Sequence, residues 1–254
     1  MKTIRHIREV RAALEPRRRV GLVPTMGAFH GGHLSLFGAA RAECDVVVVS
    51  LFVNPAQFGP NEDLARYPRD EARDARLAED AGVDVLFVPD EAELYPDGFA
   101  TWVEVDNTSA EGAARPGHFR GVATVCLKLF NIVRPDIAYF GQKDAQQVAV
   151  VRQIVRDLDL ELKLRMLPTV RDADGLALSS RNAYLSSAER ERALALPRAL
   201  EAGRSAADPV AAARAAMNGL EPEYVEVVDL GDVRVLAAAA RVGSTRLIDN
   251  VVLP

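Results

Sequence analysis

Cysteine is scarce in this chain: two among 254 residues, Cys44 and Cys126. Neither belongs to a C-x-x-C pair, which excludes a disulfide framework and a cysteine zinc site and fits a reducing compartment. Uncharged apolar runs are short, and none approaches the roughly 18 residues that a membrane-spanning helix needs. The first twenty residues, MKTIRHIREVRAALEPRRRV, lack the hydrophobic block of a secretory signal, so a cytoplasmic location and no membrane partner are expected. A surplus of cations is also missing. Lysine and arginine number 31 against 36 acidic residues, a net charge of −5, the opposite of a nucleic-acid module. No nucleic-acid partner is expected, although a local basic pocket for a small anion is compatible with this total. Three common motifs are absent: the P-loop G-x-x-x-x-G-K-[ST], a G-x-G-x-x-G turn after the first strand, and a G-x-S-x-G elbow.

The composition that is present, 49% hydrophobic and 26% charged, is that of a folded globular protein. Its length allows one large domain or two unequal ones. The apolar period switches repeatedly between about 2 and 3.6 residues. Residues 3–14 read as an amphipathic helix, 20–23 as a short strand broken at Pro24, and 33–42 as a helix. The β-branched run DVVVVSLFV (45–53) suits a strand buried on both faces. A helix over 70–82 ends on Gly82, a plausible cap, and 83–89 is a strand. Residues 90–120 read as loops around a short strand near TWVEV. Beyond them come helices over 121–133 and 144–157 and strands over 136–140 and 160–167. Strands alternating with helices predict a parallel sheet with right-handed crossovers. After Pro168 the chain turns polar, then alanine-rich and helical over 187–219, and closes on two β segments, 223–230 and 245–253. The expected fold is α/β, with a domain over 1–169 and a smaller α+β domain over 170–254.

Five segments carry chemistry. In PTMGAFHGGH (24–33) a strand ends, glycines permit close backbone approach, and His30 and His33 stand where a helix begins. The free N–H groups and dipole of that helix end make an anion site. Incidental histidines in a tight turn explain the pattern equally. A zinc site lacks the glutamate of H-E-x-x-H, with only His6 and His118 besides. In SLFVNPAQFGPNEDLARYPRD (50–70), Asn54 and Gln57 leave the carboxyl end of a strand, where open sheets bind ligands. Both suit a hydroxy acid, though Asn-Pro is also an ordinary turn. Arg115, His118 and Arg120 form a small basic cluster that either binds an anion or is a solvated loop. In FGQKDAQQ (140–147), Lys143 sits near a helix start, which suits an anion. Asp144 serves as cap or ribose acceptor, and Gln147 lies one turn beyond Lys143. In LSSRNAYL (178–185), two hydroxyls and an arginine suit phosphate oxygens, or else cap a helix.

Taken in this order, the five segments resemble the pantoate–β-alanine ligase family, within the nucleotidyltransferase superfamily marked by an H-x-G-H signature, here His30-Gly31-Gly32-His33. The resemblance runs from about residue 3 to the last strand. It implies a Rossmann-like nucleotidyltransferase domain and a two-step reaction. Pantoate and ATP, with Mg²⁺, give pantoyl adenylate and pyrophosphate; β-alanine then attacks to give pantothenate and AMP. It also implies a homodimer. Met26, Gly27, Ala28, Phe29, His30, Gly31, Gly32 and His33 match the first ATP segment, with His33 as proton donor. Gly141, Gln142, Lys143 and Asp144 match the second, with Lys143 on phosphate and Asp144 on ribose. Val170 matches an adenine-contacting hinge residue. Leu178, Ser179, Ser180 and Arg181 match a phosphate-binding loop. His30, His33, Lys143, Ser179 and Arg181 are the expected catalytic set. Gln57 and Gln147 match pantoate ligands, and Gln57 also lies near the β-alanine site. Asn54 and Tyr67 match residues lining the substrate cavity, Arg115 and His118 a segment near it, and Asp74 is the candidate Mg²⁺ ligand.

The chain departs from the family pattern at Phe29 (commonly Leu), Gln142 (Glu), Ala145 (Tyr) and Leu178 (Met), and it is compressed over 205–244. Two rivals are a sister enzyme that transfers a nucleotide to a phosphate, and a tRNA-binding synthetase fragment. The first would need a basic acceptor pocket in place of Gln57 and Gln147; the second is disfavoured by the acidic balance. A catalytically dead homologue finds no support, since the motif residues are all present.

Overall fold

The computed structural model describes residues 1–14, 18–106, 109–231 and 233–254. Among the described residues, nine strands run in chain order: β1 (Lys2–Ile4), β2 (Val20–Thr25), β3 (Val46–Leu51), β4 (Val85–Phe87), β5 (Ile137–Gly141), β6 (Lys163–Leu167), β7 (Pro222–Asp229), β8 (Arg234–Val242) and β9 (Thr245–Val252). The helices are α1 (Ile7–Ala13), α2 (Gly31–Glu43), α3 (Glu71–Asp80), α4 (Glu91–Leu94), α5 (Ala110–Ala114), α6 (His118–Val133), α7 (Ala145–Asp157), α8 (Ser187–Ala193), α9 (Ala195–Arg204) and α10 (Pro209–Ala215). The chain forms two compact units. One comprises 1–106, 117–140 and 150–167; the other comprises 107–116, 141–149 and 168–254. A single boundary near 169 is what composition suggests. The second unit, however, also recruits two earlier segments, because α5 and the start of α7 pack on its sheet.

The first unit holds a six-stranded sheet in the order β1-β4-β3-β2-β5-β6. The pairs β1–β4, β4–β3, β3–β2 and β2–β5 are parallel. In β3, Val46, Val47, Val48 and Val49 are all buried, as a central strand covered on both faces requires. The order reverses at β2, between β3 and β5, and such a switch point is where open sheets bind ligands beyond their carboxyl ends. Strand β2 runs on through Pro24 to Thr25, in register with Ser50 and Leu51. Residues 2–4 are an edge strand on β4, not the first turn of a helix. Ile4 shares the helical spacing of Ile7 and Val10, but pairing with Val85–Phe87 claims it. Helix α3 starts at Asp70, whose side chain accepts from the Arg73 N–H. It stops before Gly82, whose φ of +78° supplies the left-handed residue. No strand forms near TWVEV. That stretch joins no ladder, and the short helices α4 and α5 flank it; positions 107 and 108 of the expected loop lie outside the described residues.

The second unit is built on an antiparallel sheet, β7-β8-β9. Its central strand, β8, falls in a stretch to which the sequence assigns no element, because four successive alanines carry no strand preference. Both of its faces are buried. Leu236, Ala238, Ala240 and Val242 pack with Leu196, Leu200 and Met217. Val235, Ala237 and Ala239 pack with Ala145, Tyr224 and Val228. Small side chains let both layers approach the strand. Asp208 caps α10 by accepting from the Ala211 N–H, with Pro209 in the first turn; Pro197 lies early in α9.

Candidate active site

In the first unit, the chain leaving β2 turns through two left-handed residues, Gly27 (φ +84°) and Ala28 (φ +52°). The consecutive N–H groups of Ala28 and Phe29 point together, a backbone nest of the kind that holds anions. The anion is internal. Asp74, on α3 and 1% exposed, accepts from Ala28 at 2.6 Å and from Phe29 at 2.8 Å. Burial pushes its pKa up, against those two hydrogen bonds, which favour the carboxylate. Each carboxylate oxygen thus accepts one N–H of the turn. Phe29 belongs to the same turn. Its side chain is buried, edge-on to Phe37 with centroids 5.1 Å apart, and its N–H serves Asp74, so it shapes the loop from the core.

The two imidazoles cap α2 reciprocally. His30 Nδ1 accepts from the Gly32 N–H at 3.2 Å, and His33 Nδ1 accepts from the His30 N–H at 3.3 Å. A ring nitrogen that accepts carries no proton, so in each neutral ring the proton sits on Nε2. The rings lie 4.2 Å apart. The cap thus fixes the tautomer that makes both side chains Nε2–H donors, at the positive end of a 13-residue helix.

Beyond β3, Asn54 is 1% exposed and saturated. Its Nδ2 donates to Gln57 Oε1 and to the Gly121 carbonyl, both at 3.1 Å. Its Oδ1 accepts from Tyr95 Oη at 2.9 Å and from the Ala56 N–H at 3.3 Å. Asn54 can make about four such bonds and makes them all, so it orients Gln57 instead of offering itself to a ligand. Gln57 Nε2 donates to Met26 Sδ at 3.1 Å, a weak acceptor that a ligand oxygen can replace. His118 Nδ1 lies 2.8 Å from the Gln57 carbonyl; a carbonyl only accepts, so this nitrogen bears the proton. Tyr67 is buried, edge-on to Phe58.

Each member of the basic cluster at 115–120 has a partner within the protein. Arg115 pairs with Glu111 at 3.2 Å, His118 holds Gln57, and Arg120 lies over the Trp102 ring at 4.5 Å.

In the second unit, Gln142, Lys143 and Asp144 form a 3₁₀ turn leading into α7, with Lys143 Nζ 3.7 Å from Asp144 Oδ1. Gln147 follows, half-buried, on α7. Ser179 caps a second 3₁₀ turn, Ser180–Tyr184, its Oγ accepting from the Arg181 N–H at 3.3 Å. The capping role is real, and it leaves the hydroxyl hydrogen as a donor. The segment is closed at its base: Val170 accepts from the Leu178 N–H at 2.9 Å, and Arg171 bridges to Ala177.

Sequence reasoning overlooked Asp249 and Asn250. Each is 3% exposed, and each binds one of these two segments. Two adjacent polar residues inside the apolar run of β9 are the signal that was available. Also overlooked is Gly121. A Cβ there would lie 2.2 Å from the Ala56 carbonyl oxygen, so α6 approaches the Gln57 turn backbone to backbone.

A parallel sheet with a switch point, an imidazole-capped helix start and further turns rich in phosphate donors defines an α/β enzyme that handles phosphate or nucleotide. Comparison with known proteins is consistent along the whole chain. The profile of the family described as "Pantoate-beta-alanine ligase" matches residues 1–252. Pantothenate synthetase 1 of Bradyrhizobium diazoefficiens is 52% identical, covering 100% of this chain and 98% of that protein. Pantothenate synthetase of Acidobacterium capsulatum is 53% identical, covering 97% and 93%. The crystal structure of pantothenate synthetase from Thermus thermophilus superposes with a TM-score of 0.96 at 47% identity, covering 100% of both chains. That of the Francisella tularensis pantoate–β-alanine ligase, complexed with β-γ ATP and β-alanine, superposes at 0.88 with 37% identity, covering 99% and 97%. The chain belongs to the pantoate–β-alanine ligase family. It is a ligase of pantothenate biosynthesis and catalyses the ATP-dependent condensation of pantoate with β-alanine.

Proposed function

We propose that this condensation runs through pantoyl adenylate, and that the chain's residues divide the work as follows. His30 and His33 donate from Nε2 to the phosphates of ATP, with His33 as proton donor at the departing pyrophosphate. Lys143, Ser179, Ser180 and Arg181 neutralise phosphate charge. Asp144 accepts from ribose, and Val170 and Leu178 contact the nucleotide. Gln57 and Gln147 hold pantoate, Gln57 lies near β-alanine, and Asn54, His118 and Tyr67 shape that side. The reciprocal capping of α2 carries the reading, because it sets both imidazoles as donors before any ligand arrives.

Adenylation brings a carboxylate onto an anionic triphosphate, so preoriented donors lower the barrier by meeting charge as it develops. The acyl adenylate is prone to hydrolysis, and its lifetime depends on exclusion of water. Each Asp74 oxygen accepts a backbone N–H, and we read Mg²⁺ as arriving with ATP on its phosphates, without Asp74 as a ligand. Among the described residues no helix is long and apolar enough to cross a membrane. Work in the cytoplasm, as a homodimer, completes the proposal.

The test is pyrophosphate release from ATP, Mg²⁺ and pantoate, with and without β-alanine. Sustained turnover to AMP and pantothenate only with both acids supports the reading. In single turnovers, His33→Ala and Lys143→Ala should each slow adenylate formation by roughly 10²–10³-fold. A variant within threefold of wild type would sink that residue's assignment.

A further inference from the structure

Strand β9 carries Asp249 and Asn250 side by side, each 3% exposed, in an otherwise apolar run. Successive side chains leave a strand on opposite faces. Their neighbours mark those faces. Leu247 and Val251 pack with Leu176 and Leu236. Ile248 and Val252 pack with Ala145 and Val235. Asp249 therefore belongs to the face that carries the 170–178 segment, and Asn250 to the face that carries the start of α7.

The polar contacts follow that division. Asn250 Nδ2 donates one hydrogen to the Gln142 carbonyl and the other to the Lys143 carbonyl, both at 2.9 Å. Its Oδ1 receives Gln142 Nε2 at 3.4 Å. Asp249 takes Arg171 in a two-pronged pair, Nη1 to Oδ2 at 2.7 Å and Nη2 to Oδ1 at 3.0 Å. Arg171 also donates to the Gly175 carbonyl at 3.1 Å and to the Asn250 carbonyl at 3.4 Å. The Asn250 N–H closes on Asp249 Oδ1 at 2.8 Å.

We infer that Asp249 and Asn250 are positioning residues for adenylation: from opposite faces of one strand they fix the two segments that supply Lys143 and the Ser179–Arg181 donors. This rests on the assignment of those donors to ATP. Asn250 acts through the Lys143 backbone. With both carbonyls pinned, the lysine side chain starts from a fixed Cα, and misplacement of about 1 Å at a reacting group costs roughly 10²-fold. Only an amide of this length gives two donors to two adjacent carbonyls while accepting from a side chain. Aspartate has the same shape but presents a carboxylate to those carbonyls.

The experiment uses the full-length enzyme and four variants: Asn250→Ala, Asn250→Asp, Lys143→Ala, and Asn250→Ala combined with Lys143→Ala. Adenylate formation is timed by pyrophosphate release, KM is measured for ATP and for β-alanine, and folding is followed by thermal melting. Asn250→Ala and Asn250→Asp are expected to lower kcat/KM for ATP at least tenfold while KM for β-alanine stays within twofold. Added to Lys143→Ala, Asn250→Ala should cost less than a further threefold, because the two act as one unit. An equal loss in both backgrounds overturns the inference, as does a lowered melting temperature with ATP kinetics within twofold of wild type. Should Asn250→Ala fail to fold, the isosteric Asn250→Asp carries the same readings. A wild-type-like Lys143→Ala refutes the underlying assignment; a wild-type-like Asn250→Ala beside a crippled Lys143→Ala refutes this inference alone. Asp249→Asn is expected to raise KM for ATP at least threefold, and unchanged ATP kinetics there would remove Asp249 from the pair.

Discussion

Two glycines in helix interiors give a matched test of how tightly Gln57 is held. Gly38, on α2, is exposed, and a Cβ there would meet nothing within 4 Å. Gly121, on α6, faces the Gln57 turn. A Cβ there would lie 2.2 Å from the Ala56 carbonyl oxygen, 2.5 Å from its carbon and 2.6 Å from the Gln57 nitrogen. All three are backbone atoms, so no side chain can swing aside. The helix and turn must part by roughly 1 Å or more to reach ordinary contact distance. Replacing glycine by alanine in a helix gains about 1 kcal/mol at either site. At Gly121 the overpacking costs about 1–3 kcal/mol against that gain. Gly38→Ala should therefore melt higher than wild type, and Gly121→Ala lower than Gly38→Ala by about 1–3 kcal/mol, at ~2–4 °C per kcal/mol for a chain of this size. The displacement also moves the Gly121 carbonyl that holds Asn54, and with it the Gln57 amide. A shift of about 1 Å at a substrate-positioning group costs roughly 10²-fold, so kcat/KM for pantoate should fall by about that factor. Steady-state kinetics with pantoate varied, beside calorimetry of both variants, reads all of this. Equal melting temperatures with unchanged pantoate kinetics would refute the reasoning.

Asp74→Asn should destabilise the enzyme by about 1–3 kcal/mol, because an amide N–H then faces a backbone N–H in the 28–29 nest. The Mg²⁺ concentration for half-maximal activity should stay within twofold, and a tenfold rise would restore Asp74 as a ligand. Arg246 donates to both Glu111 oxygens at 2.8 Å while Tyr224 Oη donates to one of them at 3.0 Å, all largely buried. Arg246→Ala should cost about 1.5–3 kcal/mol by thermal unfolding, since Glu111 loses two charge-assisted hydrogen bonds but keeps Arg115 at 3.2 Å; a loss under about 1 kcal/mol would contradict that burial. Glu189 is held below its ordinary value of 4.5 chiefly by the Ser186 N–H and then by the Ser186 hydroxyl, in a capping box on α8. A depressed folded pKa stabilises above the unfolded value and loses that contribution as pH falls through the folded one. The melting-temperature gap between wild type and Glu189→Gln should be widest near neutral pH and narrow as pH falls below the ordinary value of 4.5. A gap that is constant with pH would exclude the carboxylate.

The inner strands of the parallel sheet were legible because a strand buried on both faces must be continuously apolar, as 46–49 is; the edge strand β1 was not, since Ile4 shares the spacing of the helix that follows. The ligand-bearing segments were legible because glycine, histidine, lysine and serine at strand ends have few structural reasons to be there. The candidate donors, and the family the chain belongs to, followed from those local patterns.

Tertiary structure decided what each polar group has left to give. Asp74 in sequence is a carboxylate near a nucleotide segment; only the left-handed turn at Gly27 and Ala28 shows that each of its oxygens accepts a backbone N–H. Asn54 reads as a substrate ligand until its four bonds are seen to be filled. The tautomers of His30 and His33 depend on which backbone N–H each ring meets, and three-residue spacing does not state that. Strand β8 was hidden because alanine carries no strand preference, and only two facing cores explain its use in a strand. Asp249 and Asn250 were silent for the same reason: a polar side chain in a strand acquires a role from what lies opposite, and their partners Arg171 and Gln142 stand 78 and 108 positions earlier in the chain.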